Sequence, residues 1–464
     1  MKSKIAVIGL GTMGANLARN IAGRNIAVSV YNRTSEKTEK FIEKFGSENL
    51  IACKTLKELV DSLETPRKII LMISAGNAVD AVIADLQTFL EPKDIIIDGG
   101  NSHYKDTEKR QENLTASELS FIGMGISGGE EGALHGPSMM PGGNEEAYKR
   151  VEPLLALAAA DDGQNGKCIA YIGPGGSGHF VKMVHNGIEY AIMQLLAESY
   201  DILKNIGKFS NQELAETFEE WNKEYNSFLI EITAKIFRKQ DPETGQDLID
   251  FIKDSGKQKG TGKWTSEAAF DLGIPSPTIH AAVDARIMSG SLNFRAWGQS
   301  KLARVLNKNT SPANLKEILK DSLDLCSFLS YTQGLELINA AAKENNWTIN
   351  LAEVSRIWRS GCIIKSNYLD TFQKLFSTNM EESKKTSEKI YKKLDSKAQS
   401  NWRTLITLAV SNGIPVPTTY ACLTYYDSMT KDKLPQNLIQ AQRDFFGAHT
   451  YERTDKEGTF HTDW

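Results

Sequence analysis

A short β-branched run, Ile5-Ala6-Val7-Ile8, leads straight into Gly9-Leu10-Gly11-Thr12-Met13-Gly14 and then into a helical pattern to about Arg24. A strand that ends in such a turn and restarts at once as a helix fits the first unit of a doubly wound α/β sheet. The glycines permit a tight turn and close backbone approach to a pyrophosphate. The helix N-terminus then favours the phosphate charge. The six residues from Gly9 to Gly14 are therefore assigned to a dinucleotide. The glycine spacing alone is common; the strand before it and the helix after it carry the reading.

The first third of the chain repeats this grammar. Short apolar runs predict strands at 4–10, 27–32, 68–73, 94–98, 119–124 and 169–172. Helical stretches fall near 35–45, 55–63 and 77–90. Alternating strand and helix implies a mainly parallel, Rossmann-type doubly wound sheet. The pattern changes at Gly173-Pro-Gly-Gly-Ser-Gly178, a glycine-rich turn. From Phe180 to about 435 long helical periodicity dominates, at 180–206, 210–238, 313–345 and 381–411, with breaks at Pro275-Ser276-Pro277 and Ile414-Pro415-Val416-Pro417. The expected organisation is an α/β domain over 1–176, a large all-helical domain over 177–434 and a C-terminal tail over 435–464. The tail reads as one short helix followed by a polar stretch. No clear short-period repeat is visible.

The end of the second strand speaks to the type of dinucleotide. NAD sites often place Asp or Glu there, accepting from the ribose hydroxyls. This chain has Asn32-Arg33-Thr34. Without the carboxylate a 2′-phosphate is not repelled, and Arg33 can pair with it. NADP is the expected cofactor. Asp98-Gly-Gly-Asn101 ends another strand at the edge where such sheets bind ligands, so Asn101 is assigned to both cofactor and substrate. Ser127-Gly128-Gly129 closes the next strand and offers backbone N–H groups to an anion.

The second constraint lies in Lys182-Met-Val-His-Asn-Gly-Ile-Glu-Tyr190. Lys182, His185, Asn186 and Glu189 fall at i, i+3, i+4 and i+7 and share one helix face. Val181, Met183, Val184, Ile188, Ile192, Leu195 and Leu196 make most of the remaining surface apolar. Such a helix is usually buried, so its single polar stripe faces a cleft rather than bulk water. Lys182 and Glu189 stand about 10 Å apart by helical rise. No His-Glu-x-x-His or acidic cluster argues for a metal, and none is expected.

Bulk properties exclude several classes. The net charge of −4 gives no general reason to bind nucleic acid or anionic membranes. No run of about 18 apolar residues suggests a membrane span. The N-terminus enters a strand too soon for a signal peptide. The five cysteines are scattered and form no C-x-x-C pair, which suggests a reducing compartment, the cytoplasm by default.

Taken in order, Gly-Leu-Gly-Thr-Met-Gly, Asn-Arg-Thr, Ile-Ile-Asp-Gly-Gly-Asn-Ser, Ser-Gly-Gly-Glu-Glu-Gly, Gly-Pro-Ser-Met-Met-Pro-Gly-Gly and the Lys182–Tyr190 stretch resemble the decarboxylating 6-phosphogluconate dehydrogenases. Gly256-Lys-Gln-Lys259-Gly-Thr-Gly-Lys-Trp-Thr265, Gly361-Cys-Ile-Ile and Gln442-Arg443-Asp-Phe-Phe-Gly-Ala-His449 extend the resemblance across nearly the whole chain. It implies a metal-independent homodimer with tail exchange that oxidises 6-phosphogluconate with NADP and releases carbon dioxide. By matching motifs, Lys182 resembles the general base and Glu189 the general acid. Ser127, Gly128, Gly129, His185 and Asn186 match the sugar-acid positions. Tyr190, Lys259 and Arg286 match the phosphate positions, joined by Arg443 and His449 from the partner's tail. Ile73, Ser74 and Ala75 match a cofactor segment, with Ser74 where Lys is common. Shorter β-hydroxyacid dehydrogenases share the glycine start and the helical Lys, but not this length, Glu189-Tyr190 or the tail.

Overall fold

The computed structural model describes residues 2–464 apart from 165 and 378. Its first part is a seven-stranded sheet in the order β3-β2-β1-β4-β5-β6-β7. The strands are β1 (Ile5–Ile8), β2 (Val28–Tyr31), β3 (Leu50–Ala52), β4 (Lys68–Leu71), β5 (Ile95–Asp98), β6 (Ser120–Ser127) and β7 (Ser138–Gly143). The first six run parallel, and β7 pairs antiparallel to β6 with Ser127 opposite Ser138. Helices cover both faces, which is why β1 and β5 are unbroken apolar runs until Asp98. The strand order reverses between β1 and β4. That switch point brings the turn after β1, the Ile73–Gly76 turn and the Asn101 turn to one crevice.

Seven helices belong to this part: α1 (Thr12–Ala22), α2 (Ser35–Phe45), α3 (Leu56–Asp61), α4 (Asn77–Gln87), α5 (Tyr104–Thr115), α6 (Gly129–His135) and α7 (Glu145–Ala158). The helical part follows with α8 (Ser177–Asn205), α9 (Asn211–Tyr225), α10 (Phe228–Phe237), α11 (Thr261–Asp271), α12 (Pro277–Gly290), α13 (Leu292–Lys301) and α14 (Leu315–Glu344). It ends with α15 (Leu351–Ile357), α16 (Tyr368–Leu375), α17 (Met380–Lys393), α18 (Ser396–Ser411), α19 (Pro417–Thr430) and the tail helix α20 (Gln436–Gly447). Among the described residues no helix is long and apolar enough to cross a membrane.

Three expectations need correction. Residues 169–172 form no strand; they meet β7 through an isolated bridge at Met139–Ile169, the Ile172 N–H donating to the Pro141 carbonyl at 2.8 Å and the Tyr171 hydroxyl donating to the Gly143 carbonyl at 2.6 Å. The edge strand is β7 instead. Its sequence Ser-Met-Met-Pro-Gly-Gly has poor strand propensity, and pairing with β6 overrides that. The long helical stretches 210–238 and 381–411 are each two helices. Asn226 in the left-handed conformation ends α9, Ser227 caps α10, and Asp395 caps α18. The tail adds a two-stranded hairpin, β8 (Tyr451–Glu452) with β9 (Thr459–Phe460).

The helical part also contains a long-range correspondence. Gly273-Ile-Pro-Ser-Pro-Thr278 and Gly413-Ile-Pro-Val-Pro-Thr418 each end one helix and start the next, with the glycines at φ 65° and 66°. Each new helix begins at a proline, whose missing N–H costs nothing in a first turn. The free N–H groups are capped from afar. Thr278 N–H donates to Gln333 Oε1 on α14 at 3.1 Å. Thr418 and Thr419 N–H donate to the two Glu198 carboxylate oxygens on α8 at 2.9 Å each. α12 and α19 then pack on each other and on α8.

α8 is the element that joins the two parts. It packs against β6 and β7 on one side and α11, α12 and α14 on the other. From Ser177 to Ile188 every residue is buried. Gly125 on β6 makes the approach feasible: a Cβ there would lie 2.3 Å from the Lys182 Cβ.

Candidate active site

The polar stripe of α8 is assembled as its spacing suggested. Lys182 and His185 are buried, at 6% and 0% exposure, and Glu189 keeps about a fifth of its side chain accessible. Lys182 Nζ donates to Asn186 Oδ1 at 2.7 Å and lies 3.3 Å from His185 Nδ1. His185 Nδ1 is 3.1 Å from Asn186 Oδ1 and 3.8 Å from Glu189 Oε2. On its other side His185 Nε2 meets Ser127 Oγ at 3.1 Å. A neutral imidazole with its proton on Nδ1 satisfies this set, donating to Asn186 and accepting from the Ser127 hydroxyl. Asn186 Nδ2 donates to Thr261 Oγ1 at 3.1 Å, and Ser127 Oγ accepts the Ile363 N–H at 3.4 Å.

The electrostatics follow from burial. Desolvation lowers the Lys182 pKa, against the opposing pull of Glu189. Desolvation raises the Glu189 pKa, against Lys182 and Arg286. His185 falls well below the usual imidazole range, through desolvation and then the Lys182 charge. One face thus holds an amine inclined to be neutral, a carboxyl inclined to keep its proton and a neutral imidazole. Pairs of groups whose environments push their pKa values in opposite directions are the usual mark of acid–base chemistry.

The crevice beside it fits a dinucleotide. Gly9 sits at φ 99°, and a Cβ on Gly14 would lie 2.0 Å from the Gly9 carbonyl oxygen. Those two glycines are demanded by the turn. Gly11 is different: a Cβ there would meet nothing within 4 Å. It heads α1 with no side-chain cap and no acid in the first turn, so its end of the helix is open to an anion. Thr12 is exposed, and Met13 and Leu10 pack toward the sheet core. Asn32 Oδ1 accepts the Leu10 N–H at 3.1 Å, which ties the end of β2 to the glycine turn. Arg33 and Thr34 are exposed, and Arg33 has no acidic partner among the described residues. Ile73 is half-buried; Ser74, Ala75 and Asn101 are exposed at the ends of β4 and β5.

The far end of the stripe carries positive charge. The Arg286 guanidinium stacks 3.7 Å from the centre of the Tyr190 ring, one residue beyond Glu189. The 256–260 loop lies against α12, where Gly256 N–H donates to Ser289 Oγ at 2.9 Å. Lys259 is exposed at the end of that loop, just before Thr261. Gly128 and Gly129, both at positive φ, open α6 beside Ser127. Arg443 and His449 are not brought to this face within the single chain. Both are exposed on the tail, Arg443 reaching only Gln440 and His449 meeting the Phe446 ring edge-on.

The tail has its own order. Asp444 is covered by its neighbours and accepts from His461, the Thr462 N–H, Trp464 and the Thr450 N–H. Desolvation opposes ionisation, but these bonds prevail and hold its carboxyl at about 2. Meanwhile Leu438, Ile439, Phe445 and Phe446 stay exposed.

Several contributors were invisible in the local pattern. Thr261 and the Ile363 N–H reach the stripe from 75 and 236 residues away in sequence from the groups they bond. Thr261 lies within the Gly256–Thr265 segment, and nothing in its spacing marks it as the partner of Asn186.

Comparison with known proteins gives a consistent result. Residues 4–173 match the family described as the NAD binding domain of 6-phosphogluconate dehydrogenase, and residues 178–464 match its C-terminal domain. The chain is 50% identical over 467 residues to the NADP(+)-dependent, decarboxylating 6-phosphogluconate dehydrogenase of Bacillus subtilis, covering 100% of this chain and 99% of that protein. It is 47% identical over 470 residues to the decarboxylating enzyme of Escherichia coli, with coverage of 100% and 99%. The structure of Plasmodium falciparum 6-phosphogluconate dehydrogenase, described as apo and in complex with NADP+ and with 6-phosphogluconate, superposes with a TM-score of 0.92 at 43% identity, covering 99% of this chain and 100% of that one.

Proposed function

The chain belongs to the 6-phosphogluconate dehydrogenase family, and from that premise we propose that it converts 6-phospho-D-gluconate and NADP+ to ribulose 5-phosphate, carbon dioxide and NADPH. The observation that carries the proposal is the α8 stripe, where a base-like Lys182 and an acid-like Glu189 share one buried face between a dinucleotide crevice and a cationic end.

The residues fit NADP at three places. The open turn at Gly11 takes the pyrophosphate, Arg33 the 2′-phosphate, and the ends of β4 and β5 the nicotinamide side. Bound there, NADP+ would supply the hydride acceptor for C3 of the substrate. Lys182 in its neutral form takes the proton from the C3 hydroxyl. Now protonated, it donates to the new C3 carbonyl. That polarises the β-keto acid while the C1–C2 bond breaks and carbon dioxide leaves. Glu189, kept protonated by burial, delivers a proton to the carbon that becomes C1 of the product. Asn186 and His185 hold Lys182 and the substrate hydroxyls; Ser127, Gly128 and Gly129 receive the carboxylate end. Tyr190, Lys259 and Arg286 hold the phosphate.

A dimer completes the site in this reading. The exposed apolar face of α20 needs a cover, and Arg443 and His449 need a phosphate within reach. A partner's tail supplies both. The five free, buried cysteines fit a reducing compartment such as the cytoplasm.

The direct test is NADPH formation from purified protein, 6-phosphogluconate and NADP+, with carbon dioxide measured in parallel. Equal release of both is expected; binding of NADP+ without turnover would refute the reading. Two variants probe its parts. Arg33→Ala is expected to raise KM for NADP+ about 10- to 100-fold, since a charge-assisted bond contributes about 1.5–3 kcal/mol. The rate with NAD+ should hardly change, so a parallel fall with both cofactors would argue against the 2′-phosphate contact. Arg443→Ala is expected to raise KM for 6-phosphogluconate by a similar factor, with the dimer intact by light scattering. An unchanged KM would remove the tail from the site.

A further inference from the structure

We propose that Arg110 is a positioning residue that locks the loops flanking the nicotinamide to each other and, through Asp98 and His179, to the turn of α8 that carries Lys182. The inference rests on the NADP reading above.

Arg110 lies on α5 with a side chain only 5% exposed. Its Nε donates to Asp80 Oδ1 at 2.7 Å, in the first turn of α4. One Nη donates to the Gly76 carbonyl at 3.2 Å, in the turn after β4. The other faces Asp98 Oδ2 at 3.5 Å and Ser102 Oγ at 3.4 Å, in the turn after β5. A single planar fork therefore spans both turns that the cofactor reading places around the nicotinamide. Guanidinium geometry fixes three directions at once, which a flexible ammonium cannot do.

The connection continues beyond Arg110. Asp98 is fully buried; its Oδ1 accepts the Gly100 N–H at 3.0 Å and its Oδ2 the Ser102 hydroxyl at 2.6 Å. That pins both sides of Asn101. The Asp98 carbonyl accepts from His179 Nε2 at 3.1 Å, and His179 Nδ1 meets the Thr107 hydroxyl at 2.6 Å. His179 precedes Lys182 by three residues on the same helix, so it stands one turn from the base. The two turns also touch directly: a Cβ on Gly100 would lie 3.0 Å from the Ile73 carbonyl oxygen. None of these groups needs to contact substrate. Their joint effect is to hold the hydride acceptor at a set distance from the carbon held by α8. A displacement of about 1 Å there costs roughly 100-fold in rate.

The test uses full-length Arg110→Met and Arg110→Lys proteins, with C3-deuterated and unlabelled 6-phosphogluconate. Arg110→Met is expected to lower kcat about 100-fold. KM for NADP+ should rise several-fold, KM for 6-phosphogluconate should stay near its original value, and the deuterium effect on kcat should increase because hydride transfer becomes limiting. Arg110→Lys should recover part of kcat. A purely structural role would instead lower Tm and the active fraction and leave the isotope effect unchanged, which would overturn the proposal. If Arg110→Met does not fold, Asp80→Ala and Ser102→Ala each remove one acceptor and should raise the isotope effect in the same direction. No rise in either overturns the proposal. Absent turnover in the unaltered enzyme would overturn the functional reading, and the positioning role with it.

Discussion

Lys182→Met is expected to reduce oxidation of 6-phosphogluconate by at least about 1,000-fold while leaving the protein folded. A general base contributes about 10²–10⁴-fold. Lys182 is also assigned the polarisation of the keto group during decarboxylation, so its loss affects two steps. No neighbour can replace it. Burial, which remains in the variant, is the larger cause that holds His185 well below its usual range, and Asn186 cannot take a proton. The same substitution should alter stability in a pH-dependent way. The folded-state pKa of Lys182 lies below the ordinary 10.5, so between the two values the unfolded chain binds more protons. Stability of the unaltered protein therefore rises with pH across that window. Met carries no such cost. Its Tm advantage over Lys should be largest below the depressed pKa and fade toward pH 10.5. Near-normal turnover in the variant would remove Lys182 from the mechanism. A Tm gap independent of pH would show that the amine is not desolvated.

Glu189→Gln is expected to lower overall turnover by about 10²–10⁴-fold. Gln keeps the shape and the hydrogen-bonding capacity but cannot deliver a proton. The Glu189 carboxyl is raised by desolvation, so in the native enzyme its protonated form is what pH controls. Turnover should decline as pH rises through that raised pKa, and the decline should vanish in the Gln variant. If the variant keeps the alkaline limb of the profile, the titrating group is another one.

Much of this arrangement is legible in the sequence itself. The turn at Gly9–Gly14 and the stripe at Lys182–Glu189 are local patterns, with one period each, so spacing alone places their side chains. The readings of Lys259, Arg286, Arg443 and His449 had a different source. No periodicity marks them, and they rested on resemblance to a family. The remaining features are non-local. β7 forms from a poor strand sequence because β6 offers an edge. Glu198 and Gln333 cap helical N–H groups 220 and 55 residues away. No local pattern marks Arg110; only the fold shows that its side chain is buried among Asp98, Ser102 and Gly76. The two Gly-Ile-Pro-x-Pro-Thr segments lie 140 positions apart, beyond the range of a short-period search.

In the proposed mechanism one helix face divides the chemistry, with Lys182 acting at C3 of the substrate and Glu189 at the neighbouring carbon that becomes C1 of the product. This division is tested most directly by exchange of solvent tritium into C1 of ribulose 5-phosphate, followed with NADPH bound in the unaltered enzyme and in Glu189→Gln. The expected result is rapid incorporation by the unaltered enzyme and a loss of at least about 100-fold in the variant. Incorporation by Glu189→Gln at the unaltered rate would contradict the assignment and move the acid to another residue.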